Sequence, residues 1–302
     1  MDLSVALAPL NEPARYFPVE AKPFSMRAGL IKFPTDFGNG DADRRLFQVD
    51  TDLERALAAK RTPRRTPRYF PCAQSDSERE AVAVVQRYVE ARLAEEAPER
   101  LAAADRDPDA VDRWDALGRA LQEDLVVMHE GEAGAGKAIL LHVSFPSGWH
   151  PEHLPGADFL RIHVPVPTFP GPDGEPKAAS ASQSMIRSMI DRGPYVRFVW
   201  TVRADDALDH HPTAGGRTDW TATSRGYLRV ERQLTVPFPE ARASLFVIRT
   251  YVYPFDGLGP AKRDIMRAAI VQMPDAFKSY KGIPENSAIV LAALGPDSMT
   301  KT

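Results

Sequence analysis

Histidines and strand arginines are the residues of this 302-residue chain whose chemistry is most informative. His163 lies in Leu160-Arg-Ile-His-Val-Pro-Val-Pro167, at the end of an apolar strand pattern that stops at proline. A histidine in such a place is either a packed core side chain or a ligand of a metal or haem iron. His142, in Leu140-Leu-His-Val143, has the same local setting, so the local pattern leaves both interpretations open for both residues.

Two further pairs of histidines have side chains that could bind a metal, but the residues around each pair do not favour a metal site. His150 and His153 flank Glu152, but Pro151 interrupts any helix that would align them, and no third ligand is evident. We therefore interpret this segment as a solvated loop. The pair His210-His211 follows an acidic, loop-like stretch, and we interpret it as an exposed loop as well.

Arginines inside strand patterns are the second group of candidates. In Leu228-Arg-Val-Glu-Arg-Gln233, alternation places Arg229, Glu231 and Gln233 on one face of a strand and Arg232 on the other. Arg249 alternates with Val247 and Tyr251 in the next strand pattern. A guanidinium on a sheet face suits a carboxylate ligand, which it binds through two parallel hydrogen bonds. Cross-strand ion pairs, for example with Glu231, are an equally good interpretation.

Charge and cysteine content exclude several classes of protein. The formal net charge is −3, which gives no electrostatic reason to expect nucleic acid or an anionic membrane as a partner. Cys72 is the one cysteine, so an intramolecular disulfide, a four-thiolate zinc site and an iron–sulfur cluster of its own are excluded. The sequence contains neither a basic leader nor a long apolar run, and we expect a cytoplasmic protein.

The chain changes character along its length. It contains 27 prolines, and those before residue 78 punctuate a segment that we expect to lie as extended chain over a core built elsewhere, apart from a short helix over 50–60. From Ser77, which has Glu80 at capping-box spacing, a helical pattern continues to about Met128. Its second helix would run through Val111, Trp114, Leu117, Leu121 and Leu125.

Strand patterns dominate the rest of the chain. They cover residues 138–145, 159–166, 195–203, 226–237 and 244–254. Helical patterns at 182–191 and 261–273 and a closing element over 283–294 complete the prediction. The fold class is therefore α+β, with about five antiparallel strands and helices gathered before and after them.

Seven segments in order resemble the haem-dependent oxidative N-demethylase family, whose haem-binding chain has a PAS-like fold. They are Gln122-Glu-Asp-Leu125, Phe145-Pro-Ser-Gly-Trp149, Ile162-His-Val-Pro-Val-Pro167, Val196-Arg-Phe-Val-Trp200, Arg229-Val-Glu-Arg-Gln233, Phe246-Val-Ile-Arg-Thr-Tyr251 and Tyr280-Lys-Gly282. The resemblance implies a PAS-like curved antiparallel sheet with flanking helices. It divides the chain into a proline-rich extension, residues 1–78, packed on a haem-binding domain with N-terminal helices, residues 79–302.

The resemblance also implies a cofactor and its ligands. A haem b would be held by the sheet, with its iron bound to His163, whereas His142 falls where the family has no histidine. Arg232 and Arg249, together with Arg197, would pair with the haem propionates.

Catalysis, in this interpretation, is the oxidation of an amine by dioxygen activated at the haem iron. Glu231, Gln233 and Tyr251 would orient a secondary or N-methylated amine, which would be converted to an imine and then an aldehyde. Electrons would come from separate flavin and iron–sulfur components, in agreement with the single cysteine. A PAS-like haem sensor of gas or redox state, a haem carrier, and a haem-free binding protein are the alternatives.

Two positions depart from the family pattern. Val199 stands where the family usually has asparagine before the tryptophan, and Leu234 separates Gln233 from Thr235, where the family has Arg-Gln-Thr. If these residues line the amine pocket, dimethylamine is not the expected substrate.

Overall fold

One antiparallel sheet of seven strands organises the molecule. The computed structural model describes residues 15–21, 29–131, 136–157, 185–214 and 218–296. The sheet order is β1-β5-β6-β7-β3-β4-β2, and every neighbouring pair is antiparallel. The strands are β1 (Ile31–Lys32), β2 (Tyr69–Pro71), β3 (Asp124–His129), β4 (Lys137–His142), β5 (Tyr195–Arg203), β6 (Tyr227–Phe238) and β7 (Ala243–Pro254). The predicted α+β class is confirmed.

Helices lie before and after the long strands. In the described residues they include α1 (Leu53–Arg61), α2 (Asp76–Glu96), α3 (Pro98–Asp105), α4 (Arg113–Ala120), α5 (Pro260–Val271), α6 (Asp275–Tyr280) and α7 (Ala288–Ala293). Residues 185–191 are also helical and are called the connector helix below. None of the helices in the described part of the chain has the length and apolar character that a membrane crossing requires.

Strand alternation gives the sheet two chemically different faces. In the register of β5 with β6, Arg197 pairs with Gln233 and Val199 with Glu231, so these side chains share one face. Arg232 pairs with Arg249 of β7 and shares the opposite face with it. The predicted separation of Glu231 from Arg232 is confirmed.

The face that carries Arg232 and Arg249, called the N-terminal face, is covered by the first part of the chain. Helix α2 presents four fully buried side chains to it, Ala81, Val85, Val89 and Leu93. They join Leu125, Val127, Leu245 and Val247 of the sheet in one hydrophobic cluster. Farther along, Tyr16 and helix α5 pack on the same face against Trp200, Leu228 and Val230. Burial of this apolar surface is the main stabilising contribution of the fold.

The opposite face of the sheet is called the connector face, because residues of the connection between β4 and β5 pack on it. Of the five strands β5-β6-β7-β3-β4, these two are the outer pair, so their connection must pass across the sheet. Ile186 and Ile190 of the connector helix pack against Val126, Met128 and Leu141, which identifies the face that is crossed.

Several predicted boundaries differ from the structure. The helix expected to reach Leu125 ends at Ala120, and β3 begins at Asp124. Every residue of β3 is buried, so its apolar run does not show the alternation that distinguishes a strand from a helix. The capping box is formed by Ser75 and Glu78 rather than by Ser77 and Glu80.

The proline-rich segment contributes more than loops. Two short strands, β1 and β2, add to the two edges of the sheet. With β3, which was expected to be helical, they bring the sheet to seven strands in the described residues, where four of the five predicted strands lie. The four longest predicted strands in the described residues, β4 to β7, are confirmed within a few residues at their ends. The strand expected over 159–166 lies outside the described residues.

Candidate functional site

A polar cluster lies at the middle of the connector face, where β5 and β6 are paired. The Gln233 side-chain amide donates a hydrogen bond to Glu231 Oε2 at 2.9 Å. Arg229 Nη2 lies 3.5 Å from Glu231 Oε1. These contacts hold the Glu231 carboxylate, which remains partly exposed, in one orientation on the sheet. The carboxylate is therefore presented as a fixed anion that can receive a cationic ligand.

Arg197 is the cation that lies beside this carboxylate on the connector face. Within the described residues its guanidinium makes no hydrogen bond and no ion pair. Burial lowers the pKa of Arg197, while Tyr280 and Glu231 act in the opposite direction. Because a guanidinium stays protonated in proteins, Arg197 presents an unpaired positive charge in a partly desolvated place. Such a group suits an anionic ligand, above all a carboxylate.

Apolar side chains surround these charges. Val199, Phe246, Ile248 and Val252 belong to the same face and are only half-buried. Thr201, also on this face, has a buried hydroxyl oxygen without a hydrogen-bond partner in the part of the chain that the structure describes. A half-buried apolar strip with one unpaired cation matches the chemistry of a haem, which has a flat apolar ring and two carboxylates. On this observation the residues present fit the group.

Arg229 has a structural role next to the cluster. It is fully buried, and its guanidinium donates to the carbonyl oxygens of Phe145 at 2.6 Å and Leu208 at 2.9 Å. It also donates to the hydroxyl of Thr250 at 3.2 Å. Arg229 therefore ties two loops, around residues 145 and 208, to the end of the sheet.

The C-terminal end of α6 adds two ionisable groups, Tyr280 and Lys281, which belong to the Tyr280-Lys-Gly282 segment of the family resemblance. Lys281 accepts a hydrogen bond from the Val202 amide through its main-chain carbonyl at 2.8 Å, which places it along β5. Its ammonium donates to the Trp200 carbonyl at 2.9 Å. Burial lowers the pKa of Lys281 to about 7, with the nearby Arg197 charge acting in the same direction. Burial and the charge of Glu231 raise the pKa of Tyr280.

The remaining predicted site residues lie on the N-terminal face. Arg249 forms a buried ion pair with Asp50 at 2.6 Å. Arg232 donates to the Arg45 carbonyl at 2.8 Å and lies over the Phe33 ring at 5.5 Å from its centroid.

Tyr251, also on this face, is hydrogen-bonded through its hydroxyl to the side chain of Gln48. The structure therefore brings Arg197, Glu231 and Gln233 together and separates them from Arg232, Arg249 and Tyr251 by the thickness of the sheet. A single ligand that reaches all six is incompatible with this placement. Contact with propionates at Arg249 would require it to give up Asp50.

The predictions for His163 and His142, the two histidines in strand patterns, fare differently in the structure. His163 lies outside the described residues, so its role as an iron ligand stays a prediction. His142 is a packed core side chain: its ring is buried, and Nε2 lies 3.1 Å from Asp115 Oδ1. Burial lowers the pKa of His142. Gly118 makes room for this ring, since a Cβ at that position would lie 2.2 Å from it.

Comparison with known families agrees with this geometry. The family model described as haem-dependent oxidative N-demethylase, alpha subunit-like, matches residues 49–291. The match includes every strand except β1 and every residue of the connector-face cluster. The family name points to an oxidative, haem-dependent enzyme and to a chain that is one subunit of an assembly. This chain belongs to the haem-dependent oxidative N-demethylase alpha subunit-like family.

Proposed function

We propose that this protein is a haem-dependent oxidoreductase that uses dioxygen to oxidise a secondary or N-methylated amine, with its site on the connector face. The observation that carries the proposal is that Arg197, which has no partner among the described residues, lies beside an oriented Glu231 carboxylate on a half-buried apolar strip. On the opposite face of the described structure, Arg232 and Arg249 are buried against the N-terminal segment. Because fold likeness alone does not establish activity, the side chains of the connector face carry the proposal.

The haem is proposed to lie against Val199 and Ile248, with Arg197 paired to a propionate and His163 as the iron ligand. When bound, the haem supplies the oxygen-activating redox chemistry. The antiparallel order of the described strands supports the PAS-like fold that the family implies. Because the one cysteine is Cys72, electrons are proposed to come from a partner subunit or reductase that carries flavin and iron–sulfur centres.

Glu231 is proposed to bind the substrate. A secondary amine is protonated at neutral pH, and its N–H groups would donate to the Glu231 carboxylate. Gln233 holds that carboxylate through its amide, at 2.9 Å, and so fixes the orientation of the amine. Lys281, with a pKa of about 7, is a group near this cluster that can hold or release a proton in the physiological range.

Val199 defines the chemical class of amine. It faces Glu231 directly across the β5–β6 register, where the family usually has an amide side chain. An isopropyl group at that position offers the substrate apolar contact instead of a hydrogen bond. We therefore expect an amine with an apolar N-substituent larger than methyl to be preferred over dimethylamine.

An absorption spectrum of the protein purified after haem-sufficient expression tests the cofactor. A Soret band that shifts with dithionite and carbon monoxide, together with a haem b pyridine haemochrome, is the expected result. Absence of the band contradicts the proposal. The variant His163→Ala should lose haem or change the spectrum, whereas His142→Gln should retain it.

Turnover is tested separately with a reductase and a panel of secondary amines. Amine-dependent oxygen consumption and aldehyde release are expected, and Glu231→Gln should raise the KM for the amine more than it lowers kcat. Reversible binding of oxygen or carbon monoxide without turnover of any amine would instead identify a haem sensor.

A further inference from the structure

A cluster of histidines and one glutamate lies at the end of the sheet, outside the connector-face site. It is formed where the loop around residue 150 meets the loop around residue 210. The two loops are joined by main-chain contacts: Ser147 and His210 form a parallel bridge, and the Gly148 amide donates to the His210 carbonyl at 3.1 Å. The cluster is therefore positioned by backbone hydrogen bonds and not only by side chains.

The proline that seemed to prevent alignment of His150 and His153 instead produces it. Pro151 begins a one-turn 3₁₀ helix, Pro151–His153, in which the His153 amide donates to the His150 carbonyl at 3.2 Å. Side chains three residues apart eclipse in a 3₁₀ turn. The two imidazole rings are accordingly stacked, with centroids 4.8 Å apart. The interpretation of this segment as a loop without alignment is corrected by the structure.

Glu152 completes a set of three donors. One ligand atom from each of His150, Glu152 and His153 lies within 4.8 Å of the other two. The ligand atoms around a tetrahedral zinc ion are about 3.3 Å apart, as follows from metal–ligand bonds of about 2.0–2.1 Å. Small side-chain rotations are therefore enough to bring the three atoms to a common ion. His153 is exposed, so an ion can enter from solvent and keep water in its open position.

His211 forms a hydrogen bond to the Glu152 carboxylate and is not itself one of the three proposed ligands. It is buried, and its Nδ1 accepts the hydrogen bond of the Thr213 amide at 3.1 Å. In the neutral ring the proton therefore resides on Nε2, which lies 2.9 Å from Glu152 Oε2 and donates to it. Carboxylates that bind metals are commonly held by an outer hydrogen-bond donor of this kind. His211 is thus a positioning residue, found 58 or more positions along the chain from the three donors.

We propose that His150, Glu152 and His153 bind a divalent transition-metal ion, with His211 holding the Glu152 carboxylate in place. Two imidazoles and one carboxylate suit zinc and the related first-row ions rather than calcium or magnesium, which prefer oxygen ligands only. The bound ion would fix the turn at residues 150–153, and the hydrogen bond between Glu152 and His211 would join this turn to the loop around residue 210. The site shares no residue with the proposed haem site and does not depend on it.

Zinc titration of the tag-free full-length chain tests the proposal. After removal of adventitious metal with a chelator, isothermal titration with zinc chloride should show saturable binding of one ion per chain. Zinc should also raise the Tm of the protein. The variant His153→Ala changes an exposed residue and should fold normally, yet it should weaken zinc binding by more than about 100-fold, beyond the usual effect of an outer-shell change.

Two further variants separate the roles. His211→Ala should weaken binding by about 10- to 100-fold, and His211→Gln, which retains a donor, should restore most of the affinity. His129→Ala is the matched control, since His129 lies outside the cluster, and should leave zinc binding unchanged. No saturable binding by the parent chain, or equal binding by the parent and His153→Ala, would overturn the proposal.

Discussion

Each face of the sheet carries strand arginines, and the two faces use them in opposite ways. On the N-terminal face, Arg249 is buried and paired with Asp50 at 2.6 Å. On the connector face, Arg197 has no hydrogen-bonded partner among the described residues. The difference arises from what covers each face, since the N-terminal segment supplies the Asp50 carboxylate to Arg249 and the Arg45 carbonyl to Arg232. A paired arginine serves the fold, and an unpaired one is available to a ligand.

The largest effect is expected from breaking the buried pair. Asp50→Asn removes the carboxylate that contacts Arg249 directly and leaves Glu123 as the nearby anion that still acts on this buried guanidinium. Because Glu123 offsets part of the desolvation cost that removal of one partner of a buried ion pair exposes, we expect a loss of about 3 kcal/mol in the free energy of unfolding, at the lower end of the range for such pairs. Urea denaturation of the parent and the variant measures it. A loss below about 1 kcal/mol would mean that the pair is accessible to water.

Replacement of Arg197 on the connector face should have little effect on stability and a large effect on haem binding. Arg197→Met removes no hydrogen bond to the described residues and relieves the burial of a charge, so the stability of the haem-free protein should change by less than about 1 kcal/mol. Haem affinity should fall by about 10- to 100-fold, since a charge-assisted hydrogen bond contributes about 1.5–3 kcal/mol. Haem titration followed by absorbance measures this. A large stability loss without an effect on haem would assign Arg197 to the fold.

The pH dependence of stability should report the desolvation of Lys281. Its folded-state pKa of about 7 lies below its ordinary value, so between the two values the unfolded chain binds the additional proton. Stability should therefore rise as the pH increases above 7 and lose this contribution as the pH falls towards 7. The slope contributed by Lys281 should approach about 1 kcal/mol per pH unit.

Comparison of the parent with Lys281→Met isolates this slope from other titrations. Urea denaturation at several pH values should show the difference between the two proteins changing across the alkaline range. Parallel pH profiles would indicate that Lys281 is hydrated.

The smallest effect is expected at Val199. Val199→Asn introduces the amide usual in the family opposite Glu231. One added hydrogen bond contributes about 0.5–1.5 kcal/mol, so selectivity for dimethylamine over larger amines should rise by about 2- to 10-fold in kcat/KM. A competition assay with paired amines measures the change. Unaltered selectivity would place the amine away from Val199.

The fold was predictable from sequence to the extent that local periodicity controls it. Long strands with one polar and one apolar face, such as β5 and β6, were located within a few residues. Strand β3 was mistaken for a helix because all six of its residues are buried and no alternation remains. Strands β1 and β2 could not be predicted, since two or three residues acquire strand structure only from the edge that they join.

The candidate sites were also predictable only as far as local sequence controls them, since their remaining contacts are long-range. Alternation correctly separated Glu231 from Arg232, but the nearness of Lys281 to this cluster depends on a long-range contact with β5. The support of Glu152 by His211 is equally non-local, and the 3₁₀ turn at Pro151 reverses the effect that a proline has inside an α-helix.

Neighbouring residues alone establish which side chains share a face of each strand and which family the chain resembles, because both properties are local. Which face of the sheet is closed depends instead on long-range packing. The first part of the chain delivers Asp50 to Arg249, and the β4–β5 connection crosses the face of Arg197, because the strands that it joins lie at opposite edges. Whether a strand arginine is a structural group or a free cation depends on these distant segments, whose positions no local pattern encodes.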